Sequence, residues 1–249
     1  ASGYLRLLTP PTNPRVIGPA IADSVTGQYA AMGILAALLD RKTSGSGCRL
    51  DISMLEAMCH FNLDSFTHYF SEGEIMGPLS RPVVSQSYTF ECADGKWIAI
   101  HLSSPTKFWM GFLEATGQQH LNADPRFAER LERITHQDDL IAIMTPVFLK
   151  QTRDQWCEKL LALEVPHSPA YDSNEALDDP QARHLQLAVH AEHPQMGTFT
   201  TVRAPYNFNG KPGLDVVPPP VLDEHGEAIR KEVAKNKAAR MPTGEELNE

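Results

Sequence analysis

Basic charge, paired cysteines and long apolar runs are all scarce in this sequence, and each shortage removes a class of function. Lys and Arg number 22 against 31 Asp and Glu, a formal charge of −9. No basic block or stripe of basic and aromatic residues compensates locally. A nucleic-acid partner is therefore not expected, because binding to a phosphate backbone depends on clustered cations. A polyanionic ligand would need a local basic pocket rather than a global field. The four cysteines, Cys48, Cys59, Cys92 and Cys157, show no paired spacing, and nothing at the start resembles a signal peptide. Reduced thiols in a cytoplasmic protein are the expectation. The longest apolar stretch, Tyr29 to Leu39, is too short to span a bilayer and is cut by Gly33. A soluble chain with no membrane partner follows, and its 249 residues suffice for one large domain or two. Phosphate-cradling glycine spacings are missing as well. "TSGSG" and "NGKPG" match neither GxGxxG nor a P-loop and read as turns.

What is present begins with "GPAIADSVTGQYAAMGILAALLDRKTSG", Gly18 to Gly45. From Tyr29 to Leu39 hardly any polar face remains, so the spacing predicts a helix buried nearly all round. Arg41 and Lys42 sit in its last turn, with Gly45 and Gly47 beyond as stop signals. Asp23 stands directly before the apolar run, where a carboxylate can cap first-turn amides and is favoured by the helix dipole. The same geometry permits a second reading, in which an ionised carboxylate beside free amides attacks an activated acyl group and the amides stabilise an oxyanion. Local pattern does not choose between cap and reagent.

Along the chain, the Pro- and Gly-rich start opens on no strand or helix. Arg49 to Ile52 alternates like a short strand, and helical spacing follows through Leu55, Met58, Phe61, Leu63 and Phe66. Ser71 to Ser87 has turn residues without periodicity and reads as a linker. In "YTFECADGKWIAIHL" the Asp94-Gly95 pair between two β-prone runs predicts a hairpin. Helical spacing resumes from Pro105 to Leu163, so hairpin and helices together make an α+β unit. "EVPHSPAY" is extended, "DDPQARHL" starts a short helix, and "MGTFTTVRAPYNF" alternates like a strand. After three prolines a short helix is expected at Glu224 to Lys235, followed by a polar, disordered end.

Ten histidines invite a metal reading, but His190 and His193 in "HAEH" lack the HExxH pattern, and no Cys or carboxylate recurs at a ligand interval. No metal site is expected. Cys59 and His60 are adjacent, yet helix neighbours point about 100° apart, so adjacency makes no nucleophile-base pair. An inert, buried Cys59 is the expectation. Asp223, Glu224, His225 and Glu227 in "LDEHGEAI" read as a capped helix start.

Taken together, the segments resemble the class III CoA-transferase family, also called CaiB/BaiF. "IADSVTGQYAAMGILAALLDRKTSGSG" followed by "LDISMLEAM" is similar to the family's central signature. "ECADGKWIAI", "DPRFAERLER", "VPHSPAYDSNEALDDPQ", "RAPYNF" and "PPPVLDEHGEAI" are similar to its later landmarks, in the family's order. The resemblance implies that Asp23 is the nucleophile of a covalent transferase, with the cap as a second role. It also implies that Met54, in "DISM", lines the site near the acyl group, although a core methionine is an equal reading of that position. No cofactor is implied, since the CoA thioester is itself a substrate alongside a carboxylic acid.

The fold implied is α/β, a Rossmann-like large domain plus a small α+β domain in an interlocked homodimer. Residues 1–70 and 166–249 would belong to the large domain, 71–87 to a linker and 88–165 to the small domain. Family chains carry a further βα-rich half at the front that this sequence lacks, so a fragment or a separate front chain is expected. A glycine-rich loop of the formyl-CoA members is also missing near Pro82 to Ser87, which argues against an oxalate-type assignment. Two rivals stay open. One is a 2-methylacyl-CoA racemase of the same superfamily, with the aspartate as one acid-base partner. The other is a non-catalytic or incomplete subunit that needs a separate N-terminal half.

Overall fold

A computed structural model describes residues 1–103, 106–213 and 216–240. The chain divides into two compact units, Ala1–Ala170 and Tyr171–Glu249. In the first, helices α1 (Tyr4–Leu8), α2 (Ile21–Ser44), α3 (Met54–Phe61), α4 (Leu63–Glu72) and α5 (Ser80–Val84) precede strands β1 (Ser87–Glu91) and β2 (Trp97–His101). Helices α6 (Thr106–Thr116), α7 (Arg130–Thr135), α8 (Gln137–Phe148) and α9 (Arg153–Ala162) lead to β3 (His167–Ala170). The sheet is antiparallel, in the order β1-β2-β3.

The hairpin closes where Asp94-Gly95 predicts it. Cys92 N–H donates to Lys96 O and Gly95 N–H to Cys92 O, and Gly95 has φ 72°, a left-handed value that costs glycine nothing. Ser87 pairs with His101, Tyr88 with Ile100 and Phe90 with Ile98. Because side chains alternate across a strand, Tyr88, Phe90, Ile98 and Ile100 share the inner face, and all four are buried. Against them pack Trp109 and Phe112 of α6, Leu140, Met144 and Phe148 of α8, and Trp156 and Leu160 of α9. Phe148 sits at the centre, its ring stacked on Phe90 at 4.4 Å and tilted against Trp156 at 4.7 Å. The Trp156 indole N–H donates to Phe148 O at 2.8 Å, so the buried polar tip is satisfied.

A second, smaller cluster joins α2 to α3 through Val25, Ala57 and Met58, with Ile21, Ala22 and Tyr29 at its margin. The expectation that α2 is buried nearly all round is corrected here. Val25 is its one buried residue, and Leu35 and Leu39 are about two-thirds exposed. The physical reason is that α3 is the main described element packed along α2, and one helix covers one stripe. Two further expectations are revised. Arg49–Ile52 forms no ladder with any described strand, since alternation permits a strand but only a partner edge makes one. The expected linker at 71–87 contains α5, whose entry is fixed by Gly77 N–H donating to Ser80 Oγ at 2.9 Å.

In the second unit, α10 (Ser173–Asp178) and α11 (Pro180–His184) are capped by Asp172 and Asp179. Pro180 at the first position of α11 supplies the expected helix start. Strands β4 (Ala188–His193) and β5 (Gly197–Val202) form a hairpin, β6 (Asn207–Phe208) and β7 (Lys211–Pro212) a short ladder, and α12 spans Gly226–Arg240. The expected helix near Glu224 to Lys235 corresponds to α12. The polar end beyond it lies outside the described residues, as does Pro105. No described helix is long and apolar enough to cross a membrane.

Candidate active site

Asp23 is not the N-cap of α2. The helix starts two residues earlier, at Ile21, with Ala20 as a cap residue that offers no side-chain acceptor. The first helical hydrogen bond runs from Ser24 N–H to Ala20 O at 3.2 Å. Asp23 is therefore the third residue of the first turn, exposed, and next to amides that precede any intrahelical acceptor. Among the described residues, no hydrogen-bond donor or cation engages its carboxylate. Anchorage comes from below, through buried Val25 two residues on and Thr26 Oγ1–H donating to Ala22 O at 2.6 Å. At the far end Gly45, φ 72°, closes the helix by donating to Arg41 O.

Met54 opens α3 and is about half exposed. Ser53 is the helix cap: its Oγ accepts from Glu56 N–H at 3.1 Å and bonds the Glu56 carboxylate. Tyr29 of α2 faces His60 of α3, while Gly33 faces Leu50, so the two segments run antiparallel. A cavity of ≈ 320 Å³ lies between them, lined by Tyr29, Gly33, Leu50, Ser53, Glu56 and His60. Tyr29 Oη lies 2.6 Å from His60 Nδ1, and the rings meet edge to face at 5.4 Å. His60 thus bonds a tyrosine 31 residues away rather than the adjacent Cys59. Sequence reasoning missed this pair because no local signal connects the two positions.

The histidines of "HAEH" lie on β4, where a spacing of three puts them on opposite faces. His190 is exposed with Nδ1 2.9 Å from Thr200 Oγ1, and His193 is buried with Nδ1 accepting from the Gln195 and Met196 amides. His68, Glu72 and Glu74 bring possible metal-ligating atoms within 4.8 Å of one another. His68 Nδ1 is already 3.0 Å from Glu74, and Asp64 reaches both His68 and Arg81, so the cluster reads as a surface ion-pair network. The cysteines of the first unit's core are shielded: burial pushes Cys92 up to about 11, with nearby Asp94 adding to the rise, and burial likewise raises Cys157. Neither is a thiolate nucleophile at neutral pH.

Residues 1–226 match the model of CoA-transferase family III. The chain is 32% identical over 236 residues to the succinyl-CoA–D-citramalate CoA-transferase of Chloroflexus aurantiacus, covering 92% of this chain and 58% of that protein. It is 26% identical over 223 residues to the (R)-2-hydroxy-4-methylpentanoate CoA-transferase of Clostridioides difficile, covering 88% and 55%. A crystal structure of a CaiB/BaiF family protein from Brucella suis superposes with a TM-score of 0.77 at 26% identity, over 93% of this chain and 60% of that one. The chain thus spans a little over half the length of the curated relatives it matches.

Proposed function

The chain belongs to CoA-transferase family III, and on that premise we propose that it carries the nucleophile of an enzyme moving CoA from an acyl-CoA thioester to a free carboxylic acid. The observation that carries the proposal is Asp23, an exposed carboxylate in the first turn of α2 with no described partner and free amides beside it. A carboxylate is anionic at neutral pH, and its anhydride conserves the activation of the thioester. Asp23 attacks the thioester carbonyl, the C–S bond breaks, and CoA leaves as thiolate with a mixed anhydride on Asp23. The thiolate then attacks the aspartyl carbonyl and expels the donor acid as carboxylate, leaving an aspartyl-CoA thioester. An acceptor carboxylate attacks that carbonyl and CoA thiolate departs. The thiolate finally adds to the acceptor's carbonyl in the second anhydride, which frees Asp23. First-turn amides supply donors to each oxyanion. Met54, on the helix packed beside α2, contacts the acyl group.

CoA thioester and acid are both substrates, and the reaction calls for no resident cofactor. The named relatives act on small organic acids, and an acceptor of that size is proposed here. Assembly as an interlocked homodimer and the partition into residues 1–70, 88–165 and 166–249 belong to the same proposal. The test is intact mass and peptide mapping after incubation with a panel of acyl-CoAs and hydroxylamine. A hydroxamate on Asp23 supports the covalent route. CoA binding without adduct, joined to isotope exchange at the α-carbon of the acyl group, would sink it in favour of proton abstraction.

A further inference from the structure

A glycine inside a helix gives up backbone entropy and packs nothing, which makes it the least favourable interior residue after proline. Four glycines lie within described helices: Gly27 and Gly33 of α2, Gly111 of α6 and Gly226 of α12. At three of them another part of the chain uses the space that a side chain would fill. A Cβ on Gly33 would meet Leu50 Cδ2 at 2.8 Å, one on Gly111 would meet Val165 Cγ2 at 2.8 Å, and one on Gly226 would overlap the Asp223 carboxylate. Gly27 is the exception: a Cβ there would meet nothing within 4 Å, and the position is exposed. Its backbone is helical rather than left-handed, so conformational freedom does not call for glycine either.

The place of Gly27 on the helix says what the space serves. It follows Asp23 by four residues, so the two share a face, with Cβ positions about 5–6 Å apart. Side chains on a helix lean toward its N-terminus and cover the preceding turn. A side chain at position 27 would therefore lie over the turn that carries Asp23. Thr26, the other neighbour on that flank, is drawn back, because its Oγ1–H donates to Ala22 O at 2.6 Å. The flank of Asp23 that looks down the helix is thus cleared twice, once by a hydroxyl turned onto the backbone and once by a missing side chain. Ala30, in the next turn, adds only a methyl, and Ile34 beyond it is about half exposed.

The chemistry proposed for Asp23 fills this clearing. When a carboxylate oxygen of Asp23 bonds to a thioester carbonyl carbon, that carbon carries an oxyanion, the CoA sulfur and the acyl chain. The amides of Ala22 and Asp23, which precede any intrahelical acceptor, draw the oxyanion toward the start of the helix. With the oxygen held there, the acyl chain has an open course the other way, down the helix and over Gly27. A methyl group at position 27, about 5–6 Å from Asp23 Cβ, would meet branches on the acyl chain before it met the methyl of an acetyl group.

We infer that Gly27 is a specificity-determining residue of the Asp23 site: its bare backbone receives the acyl chain of the donor thioester, and position 27 sets how much bulk beside the carbonyl Asp23 accepts. The donors admitted include acyl-CoA thioesters branched at the carbon next to the carbonyl. The inference rests on the transferase reading of Asp23. It explains why a helix that carries the nucleophile keeps an unfavourable residue at a position where the chain itself has room for a larger one.

The test measures hydroxylamine trapping on Asp23 of the 249-residue chain with acetyl-CoA, propionyl-CoA and 2-methylpropanoyl-CoA, in the parent and in Gly27→Ala. Gly27→Ala should fold and melt about 2–4 °C higher, because alanine is the better helix former and its Cβ meets no atom of the chain. It should lower the trapping rate with 2-methylpropanoyl-CoA by about tenfold or more relative to acetyl-CoA, the range that one methylene commands in a fitted site. Gln28→Ala, at a neighbour that points about 100° away, should leave that ratio at its parental value. An unchanged ratio in Gly27→Ala overturns the inference. So does an equal loss with all three donors, which would mean that another polypeptide segment rather than the acyl chain uses the space. A lower melting point overturns it as well, since the space would then belong to the fold. A hydroxamate on Asp23 with an unchanged ratio refutes the role of Gly27 alone, whereas no hydroxamate from any donor in the parent refutes the transferase reading, and the inference falls with it.

Discussion

Replacing Asp23 by Asn separates a structural carboxylate from a chemical one, because α3 supplies an internal standard for what a cap is worth. Ser53 is a true N-cap, with Oγ accepting from Glu56 N–H, and Ser53→Ala should cost about 1 kcal/mol. For a chain of this length that lowers the thermal midpoint by about 2–4 °C. Asp23 lies inside the first turn and engages no described donor, so Asn removes only its interaction with the helix dipole. At an exposed position this sits at the low end of the usual range, about 0.3 kcal/mol, or about 1 °C. Circular-dichroism melts of the two variants and the parent make the comparison, with hydroxylamine trapping run on the same samples. Asp23→Asn should melt close to the parent and give no hydroxamate, whereas Ser53→Ala should melt lower. If Asp23→Asn costs as much as Ser53→Ala or more, the carboxylate is a structural fixture and the geometric argument for an uncommitted nucleophile fails.

Two further predictions concern the first unit's core. A Cβ on Gly111 would meet Val165 Cγ2 at 2.8 Å and Leu163 O at 3.0 Å, and the backbone oxygen cannot swing aside, so Gly111→Ala should destabilise by about 1–3 kcal/mol, read as a lower urea midpoint at unchanged slope. Alkaline pH should act through Cys92 and Tyr88, which burial raises from 9.0 to about 11 and from 10.0 to about 12. Between those limits the unfolded chain has released protons that the folded chain retains, so stability is fully present below about pH 9 and falls as pH rises toward about 12. A urea midpoint that stays flat across that window would contradict the burial of both groups.

The parts of the fold legible in the sequence were those specified locally. Asp94-Gly95 announced the hairpin, "DDPQARHL" the short helix α11, and the helical spacing that ends at Leu163 the helices α6 to α9. Longer-range contacts left no trace. No window reveals that Tyr29 meets His60, that Arg133 reaches under Gln86, or that strand register brings Ser87 to His101. The start of α2 was misjudged because Ala20 carries no capping side chain, which drew attention to the first residue that could cap. Its burial was misjudged for another reason: the apolar run reports what the helix can bury, whereas among the described residues α3 is the main element placed against it.

The two-residue shift in the start of α2 bears directly on the chemistry. A carboxylate at the N-cap folds back to accept from the second or third amide of the helix. Its lone pairs are then committed and the amide it occupies cannot stabilise an oxyanion, so cap and reagent compete for the same atoms. At the third position of the first turn the carboxylate makes no described hydrogen bond to those amides; Ile21 N–H is taken by Pro19 O at 2.7 Å, and Ala20 offers no side-chain acceptor to those of Ala22 and Asp23. On the proposed reading, nucleophile and oxyanion donors are then separate groups on one helix, as covalent acyl transfer requires. Substituting Ala20 by Ser or Asp would put a competing acceptor over those amides. It should stabilise the helix by about 1 kcal/mol while slowing adduct formation on Asp23, and a rise in both stability and trapping rate would show that the open amides take no part.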